Sequence, residues 1–320
     1  MPLIRVRRGF SPEDSNITAT KNAVLLLAHG SPDRVEEIPD FLRYVTGGRP
    51  LPDAVIKEVQ HRYSLIGRSP LTEITLQQAS GVERELGVRT YVGMRNWKPF
   101  VADALQQMQS DGVVHAVAIC LAPHNSRTSV GLYRDALQDA PLTLDFVDSW
   151  HDHPLLIKAF ADRLVHGWSD ACTRFGSRLP VIFTAHSVPQ RTIETGDPYD
   201  SQAKHTAELV AQEAGLMEKD WTFAFQSQGM SGGPWLGPTV EDTILALKEQ
   251  EHAGVFIQPI GFVCDHVEVL YDIDIAFNRF SEQHGMKLWR AESLNASPLF
   301  IKAVADVARQ RLGQTMGVAR

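Results

Sequence analysis

Eight short apolar runs punctuate the chain, at residues 23–29, 88–94, 114–121, 142–147, 179–185, 221–227, 254–260 and 286–290. They are rich in Val, Ile, Leu and Phe, the pattern of strands buried on both faces. Between them, segments such as PDFLRYV, DAVIKEVQHRYSLI, LTEITLQQASGVEREL, FVADALQQMQ and AELVAQEAG carry apolar residues at steps of three and four, which is a helical period. Strand–helix alternation of this kind predicts an α/β fold with parallel sheets covered by helices. The eight strands divide into four and four, with the midpoint near DSWHDHP at 148–154. The first strand of each half ends alike, VLLLAHGSP at 24–32 and VIFTAHSVP at 181–189. A repeated α/β unit would place these tips at equivalent points. Parallel sheets bind ligands outside the carboxyl ends of their strands, so His29 and His186 are expected at a cleft between the halves.

Composition narrows the partners. A chain of 320 residues accommodates about two domains of roughly 150 residues. The expected division is a loose N-terminal tail at 1–21, a first domain at 22–150 and a second at 151–320, with a final helix near 297–314 packing back on the first. A net charge of −7 lacks the basic footprint of a nucleic-acid binder. The three cysteines, Cys120, Cys172 and Cys264, show no CxxC spacing. That argues against a disulfide framework, a cysteine-only zinc site or a four-cysteine iron–sulfur cluster. No apolar segment approaches the ~20 residues of a membrane span, and the N-terminal stretch has no secretory pattern, so the expected location is the cytoplasm.

Two segments carry candidate chemistry. His186 sits at a strand tip before Ser and Pro; it could accept a proton near neutral pH, bind a divalent metal, or merely cap the next loop. GFVCDHVEVLYDIDIAF at 261–277 holds Asp265, His266, Glu268, Asp272 and Asp274. Glu268 and Asp272, four apart, share a face if the segment is helical, and such a pair attracts a cation, moves protons, or forms a solvated acidic face. QGMSGGPWLGPTVED at 228–242 is a Gly/Pro-rich loop around Trp235, which either walls a flat aromatic ligand or pins the loop to the core. It has no phosphate-binding glycine motif.

FTAHSVP, GDPY, PWLGP, DHVEVLYDID and AESLNASPLF in the second half, with IGRSPLTEIT, YVGMRNWKPF and LAPHNSRTSVGLY in the first, occur in the order found in the ferrochelatases, and the resemblance runs from about residue 23 to 312. It implies two Rossmann-like domains, each with a four-stranded parallel sheet flanked by helices, and an active-site cleft between them. It implies insertion of ferrous iron into a porphyrin, with His186 and Glu268 as catalytic residues and Asp272 as a further metal or proton site. The family pattern often continues to another acid where this chain has Ala276. At the first tip, the resembled enzymes carry a motif like AYGTP whose tyrosine faces the metal. This chain has AHGSP, and His29 is expected to approach the iron axially from the side opposite His186. Iron is then a substrate, and no resident cofactor is required.

Coproporphyrin III and protoporphyrin IX are both possible substrates. Residues 47–70 are short and mostly polar, without the apolar lip of membrane-touching protoporphyrin enzymes, so the resemblance points to the coproporphyrin III enzymes. Four propionates need donors: Arg49, Arg62, Ser69, Arg127 and Tyr133 are candidates. Pro123, His124 and Trp235 are candidate walls for the ring. One cleft per chain implies a monomer, with transient contacts to neighbouring heme-pathway enzymes. The competing readings are a sirohydrochlorin or cobalt chelatase, suggested by HGS after the first strand, a histidine phosphatase, disfavoured by Ala28 before His29, and a non-catalytic tetrapyrrole carrier.

Overall fold

The computed structural model describes residues 22–228 and 233–317. The expected tail at 1–21, residues 229–232 of the Trp235 loop and residues 318–320 lie outside the described residues. The first half runs β1 (Asn22–Ala28), α1 (Ile38–Val45), α2 (Asp53–Ile66), α3 (Leu71–Leu86), β2 (Thr90–Met94), α4 (Val101–Ser110), β3 (His115–Cys120), α5 (Val130–Asp135) and β4 (Thr143–Val147). The second runs α6 (Pro154–Phe175), β5 (Val181–His186), α7 (Gln190–Glu194), α8 (Tyr199–Glu213), β6 (Trp221–Gln226), α9 (Val240–Glu249), β7 (Gly254–Pro259), α10 (Val267–Leu270), α11 (Asn278–Gln283), β8 (Lys287–Arg290) and α12 (Pro298–Gly317). Each apolar run forms a strand within two residues of its expected span.

The strands make two four-stranded parallel sheets, ordered β2-β1-β3-β4 and β6-β5-β7-β8. The second order is the first with every number raised by four, so the repeat suggested by two strand tips is a repeat of topology. In each sheet the chain leaves the first strand to one side and crosses back past it to the other. That reversal leaves a crevice at the carboxyl end of β1 and of β5. Helices cover the sheets, and the buried strands read as continuous apolar runs because neither face meets water.

One continuous apolar core joins the halves. It takes Val24 and Leu26 from β1, Phe183 from β5, Phe160 and Leu164 from α6, and Phe300 and Val304 from α12. α12 packs against α3 and α6. Trp150 meets Phe300 with ring centroids 5.9 Å apart, and Gln78 on α3 donates to the Asn295 carbonyl at 2.8 Å. Among the described residues no helix is long and apolar enough to cross a membrane.

The segment after β7 departs from the simple helical face drawn from Glu268 and Asp272. α10 makes one turn, residues Asp272–Phe277 form a π-helical turn, and α11 comes next. Ala276 N–H donates to the Tyr271 carbonyl, five residues back, at 2.9 Å. A π turn accommodates an extra residue and changes the direction in which later side chains point. Asp274 is turned onto Arg290, which donates to both of its oxygens at 2.5 and 2.8 Å.

Candidate active site

The two strand tips are built differently. At the first, Arg95 N–H and Asn96 N–H donate to the Ala28 and His29 carbonyls, each at 3.0 Å. Gly30 is the next residue, with φ of +85°, and a Cβ there would lie 2.8 Å from the Trp97 nitrogen. Only glycine meets both conditions without strain. His29 Nδ1 lies 3.0 Å from the Gly30 carbonyl oxygen, so the ring donates there and leaves Nε2 unprotonated in the neutral form. The ring is exposed at the end of β1, with the Phe41 ring edge-on to it and centroids 5.8 Å apart. Desolvation, with the Arg95 guanidinium, lowers its pKa to about 4, so it is neutral at physiological pH.

At the second tip, Ser187 N–H donates to the Gln226 carbonyl at 2.7 Å, and His186 Nδ1 bonds the Ser187 carbonyl. Nε2 is thereby aimed at Glu268, 3.4 Å from Oε1. His266 Nε2 approaches the other oxygen of Glu268 at 3.7 Å. One carboxylate therefore lies between two imidazoles. Gln226 sets the spacing: it accepts from Thr184 Oγ at 2.7 Å and donates to the Glu268 carbonyl at 3.0 Å, tying α10 to β5. Gly261 lets the loop pass the strand, since a Cβ there would lie 2.8 Å from the Ala185 Cα.

Desolvation opposes charge on both partners of the pair, and their mutual attraction outweighs it. His186 ends above its ordinary value, with the Glu268 carboxylate as the main cause of the rise. Glu268 ends at about 2, held down by His186 and then by His266 and His29. His266 is lowered by desolvation and stays neutral. Asp272 is pushed up to about 6, first by burial and then by Glu268, against a hydrogen bond from Ser227 Oγ and the Arg62 charge. Arg62 comes from the first half: its Nη1 lies 3.7 Å from Asp272, and its guanidinium covers the Tyr271 ring at 5.0 Å. His29 is close enough to feel Glu268 and His266, so the first tip brings a neutral imidazole near the His186–Glu268 pair of the second. Among the described residues no three His, Cys, Asp or Glu side chains converge as a ready-made metal cage.

The structure thus brings together His29, Arg62, His186, Glu268 and Asp272. It distributes the remaining candidates elsewhere. Ser69 is buried, with no hydrogen-bond partner for its hydroxyl. Arg49 is exposed in the α1–α2 connection and bonds the Thr46 carbonyl at 3.1 Å. Tyr133 is buried in the first-half core, its ring under Arg95. Pro123 and His124 are buried near α8, where His124 Nε2 bonds Thr206 Oγ at 2.9 Å. Arg127 spans the two halves, donating to the Thr192 and Thr195 carbonyls at 3.0 Å each. Trp235 pairs through its backbone with Pro189. Sequence reasoning left Gln226, Ser227 and His266 without roles. The available signal was a polar Gln-Ser ending the apolar run WTFAF, and a His two residues before Glu268.

Comparison with known proteins places the chain in a family. The family model described as Ferrochelatase matches residues 21–312. A ferrochelatase from Acidobacterium capsulatum is 52% identical over 307 residues, covering 91% of this chain and 94% of that protein. A coproporphyrin III ferrochelatase from Bacillus subtilis is 36% identical over 308 residues, covering 92% and 99%. Among solved structures, the sirohydrochlorin chelatase SirB from Bacillus subtilis subspecies spizizenii in complex with cobalt superposes with a TM-score of 0.57 at 10% identity, covering 93% of this chain and 98% of that one. At that identity the likeness is one of fold. With two matched parallel sheets and a family match across nearly all of the chain, the protein belongs to the ferrochelatase family, enzymes that insert a metal into a porphyrin.

Proposed function

We propose that this protein inserts ferrous iron into coproporphyrin III to give coproheme. The observation that carries the catalytic part is the unequal pair of strand tips: His29 spends Nδ1 on the Gly30 carbonyl with no carboxylate partner, whereas His186 Nε2 lies 3.4 Å from the Glu268 carboxylate. Metallation exchanges two N–H protons of the macrocycle for one dication. The resting His186 proton is held by the Glu268 charge. A ferrous ion beside Glu268 offsets that charge, His186 releases its proton to water, and the neutral imidazole accepts one of the two pyrrole protons while the other leaves through the Asp272 carboxylate to water. Asp272, with a pKa of about 6, is the next group able to take a proton near neutral pH. An incomplete ligand set suits a metal that must leave with the product. No resident cofactor is needed, and one chain supplies the whole cleft.

His29 adds an imidazole nitrogen, a good donor for ferrous iron, on the face away from His186. If it ligates the product iron, His29→Ala will change the visible spectrum of the product-bound enzyme; an unchanged spectrum refutes that role.

Three observations favour coproporphyrin III. The connection between α1 and α2 is short and polar, TGGRPLP. Arg62, 41% exposed beside Asp272, is a donor able to turn to a carboxylate. Relatives named coproporphyrin III ferrochelatase match at 35–36% identity over at least 90% of this chain. Competition turnover with ferrous iron and both porphyrins tests the assignment: coproporphyrin III should be consumed first, and an equal or reversed preference overturns it.

A further inference from the structure

Away from the His186–Glu268 pair, His151 and His205 bring two imidazole nitrogens to 3.4 Å, Nε2 of the first facing Nδ1 of the second, with ring centroids 5.5 Å apart. That exceeds the usual hydrogen-bond range of about 2.7–3.2 Å. Two nitrogens held at about 2.0–2.1 Å by one tetrahedral metal would lie about 3.3–3.4 Å apart.

The surroundings of His151 fix its tautomer. Ser149 Oγ lies 2.8 Å from His151 Nδ1, 3.0 Å from the Pro123 carbonyl oxygen and 3.0 Å from Gln202 Oε1. Gln202 Oε1 also accepts from the Asn125 N–H at 2.7 Å, which identifies it as the amide oxygen. The single hydroxyl proton of Ser149 therefore goes to an oxygen, and His151 Nδ1–H donates to Ser149. This leaves the His151 Nε2 lone pair directed at His205, the arrangement that holds metal-binding histidines. Desolvation lowers the His151 pKa and keeps the ring neutral. His205 is exposed on α8, so water can complete the coordination. His124 is the nearest further imidazole, with its ring 6.1 Å from His151, but its Nε2 is already bonded to Thr206.

We propose that His151 and His205 form a surface site for a divalent transition-metal ion that favours imidazole, such as zinc or cobalt, with water in the remaining positions. The site shares no residue with His186, Glu268 or Asp272 and does not depend on the choice of porphyrin.

The test titrates the full-length protein with Zn²⁺ alone against a chromophoric chelator, and with Co²⁺ alone while the visible d–d bands are recorded. His205→Ala is the primary variant because the residue is exposed and alanine suits a helix; His151→Ala is the second. Each should bind one ion fewer per chain, or bind it at least tenfold more weakly, and lose the intense tetrahedral cobalt bands. Ser149→Ala should weaken zinc binding about tenfold by freeing the His151 ring. Iron insertion by His205→Ala at saturating ferrous iron should stay within twofold of the parent. Equal zinc stoichiometry and affinity in the parent and His205→Ala would overturn the proposal.

Discussion

Replacing Glu268 by Gln keeps the side chain's shape and removes the charge that supports a proton on His186. At the observed 3.4 Å, the attraction between unit charges is about 5 kcal/mol at an effective dielectric of ~20 and about 1.2 kcal/mol in water. The two side chains are 32% and 36% exposed, which places the net interaction toward the lower end, about 1–2 kcal/mol. Because about 1.4 kcal/mol corresponds to tenfold in proton affinity, Glu268→Gln should release the His186 proton roughly tenfold more readily and shift its titration to lower pH. Imidazole NMR of labelled protein, assigned with His186→Ala, reads this directly. The pair also leaves a signature in folding. Glu268 is depressed from 4.5 to about 2, so its contribution is present above about 4.5 and lost as pH falls towards 2. His186 is raised above 6.5, so its contribution is complete below 6.5 and lost as pH climbs through the folded-state value. Denaturation of the parent should therefore show the pair's support most strongly between about pH 4.5 and 6.5, and Glu268→Gln should flatten it. A His186 resonance that titrates at the same or higher pH in Glu268→Gln would refute the reasoning.

Three further substitutions examine other parts of the cleft. Gly30→Ala forces a side chain into a left-handed conformation 2.8 Å from the Trp97 nitrogen, and chemical denaturation should show a loss of about 1–3 kcal/mol; a loss under ~0.5 kcal/mol would mean the tip relaxes freely. Gln226→Leu strands the Thr184 hydroxyl and the Glu268 carbonyl, costing about 1–3 kcal/mol and lowering kcat while porphyrin affinity measured by fluorescence quenching is retained. Arg62→Ala breaks two partly exposed pairs worth at most about 1 kcal/mol of stability, yet should raise the KM for coproporphyrin about tenfold; an unchanged KM removes Arg62 from the propionate donors.

The strands and the two histidine tips were legible because burial on both faces writes an uninterrupted apolar run, and a His ending such a run stands out. The π turn was not. Glu268, Asp272 and Asp274 have the same spacing whether the helix is regular or carries an extra residue per turn, and the decision rests on packing of Val269, Ile273 and Phe277 in the second-half core. Burial of the polar motif residues was also invisible. Tyr133 and His124 have the chemistry of ligand donors, yet one is in the core beneath Arg95 and the other is satisfied by Thr206. Both contacts join residues from different segments, and the His124–Thr206 contact joins the two halves, so local pattern contains no trace of them. Gln226 and Ser227 were missed for a related reason: each acts on the Glu268–Asp272 segment through partners at least 40 residues away in the chain.

Duplication of topology gives two equivalent crevices, but metal insertion needs unlike faces, and the sequence breaks the symmetry with few changes. Both tips end in histidine, and both rings spend Nδ1 on a neighbouring carbonyl. The difference lies in the segment after the third strand of each sheet. After β7 it brings His266, Glu268 and Asp272 to the tip of β5, whereas after β3 the polar residues His124 and Arg127 are turned onto Thr206, Thr192 and Thr195 of the second half. Glu268 converts one histidine into half of an ion pair, while the other stays neutral next to the Arg95 charge. On the proposed reaction a dication meets carboxylate oxygens of Glu268 and Asp272 on the second-half wall, and the Arg95 charge near His29 on the first. On the proposed reaction this separates the two tasks, collecting the ion and removing protons on one face, and engaging the metal after insertion on the other.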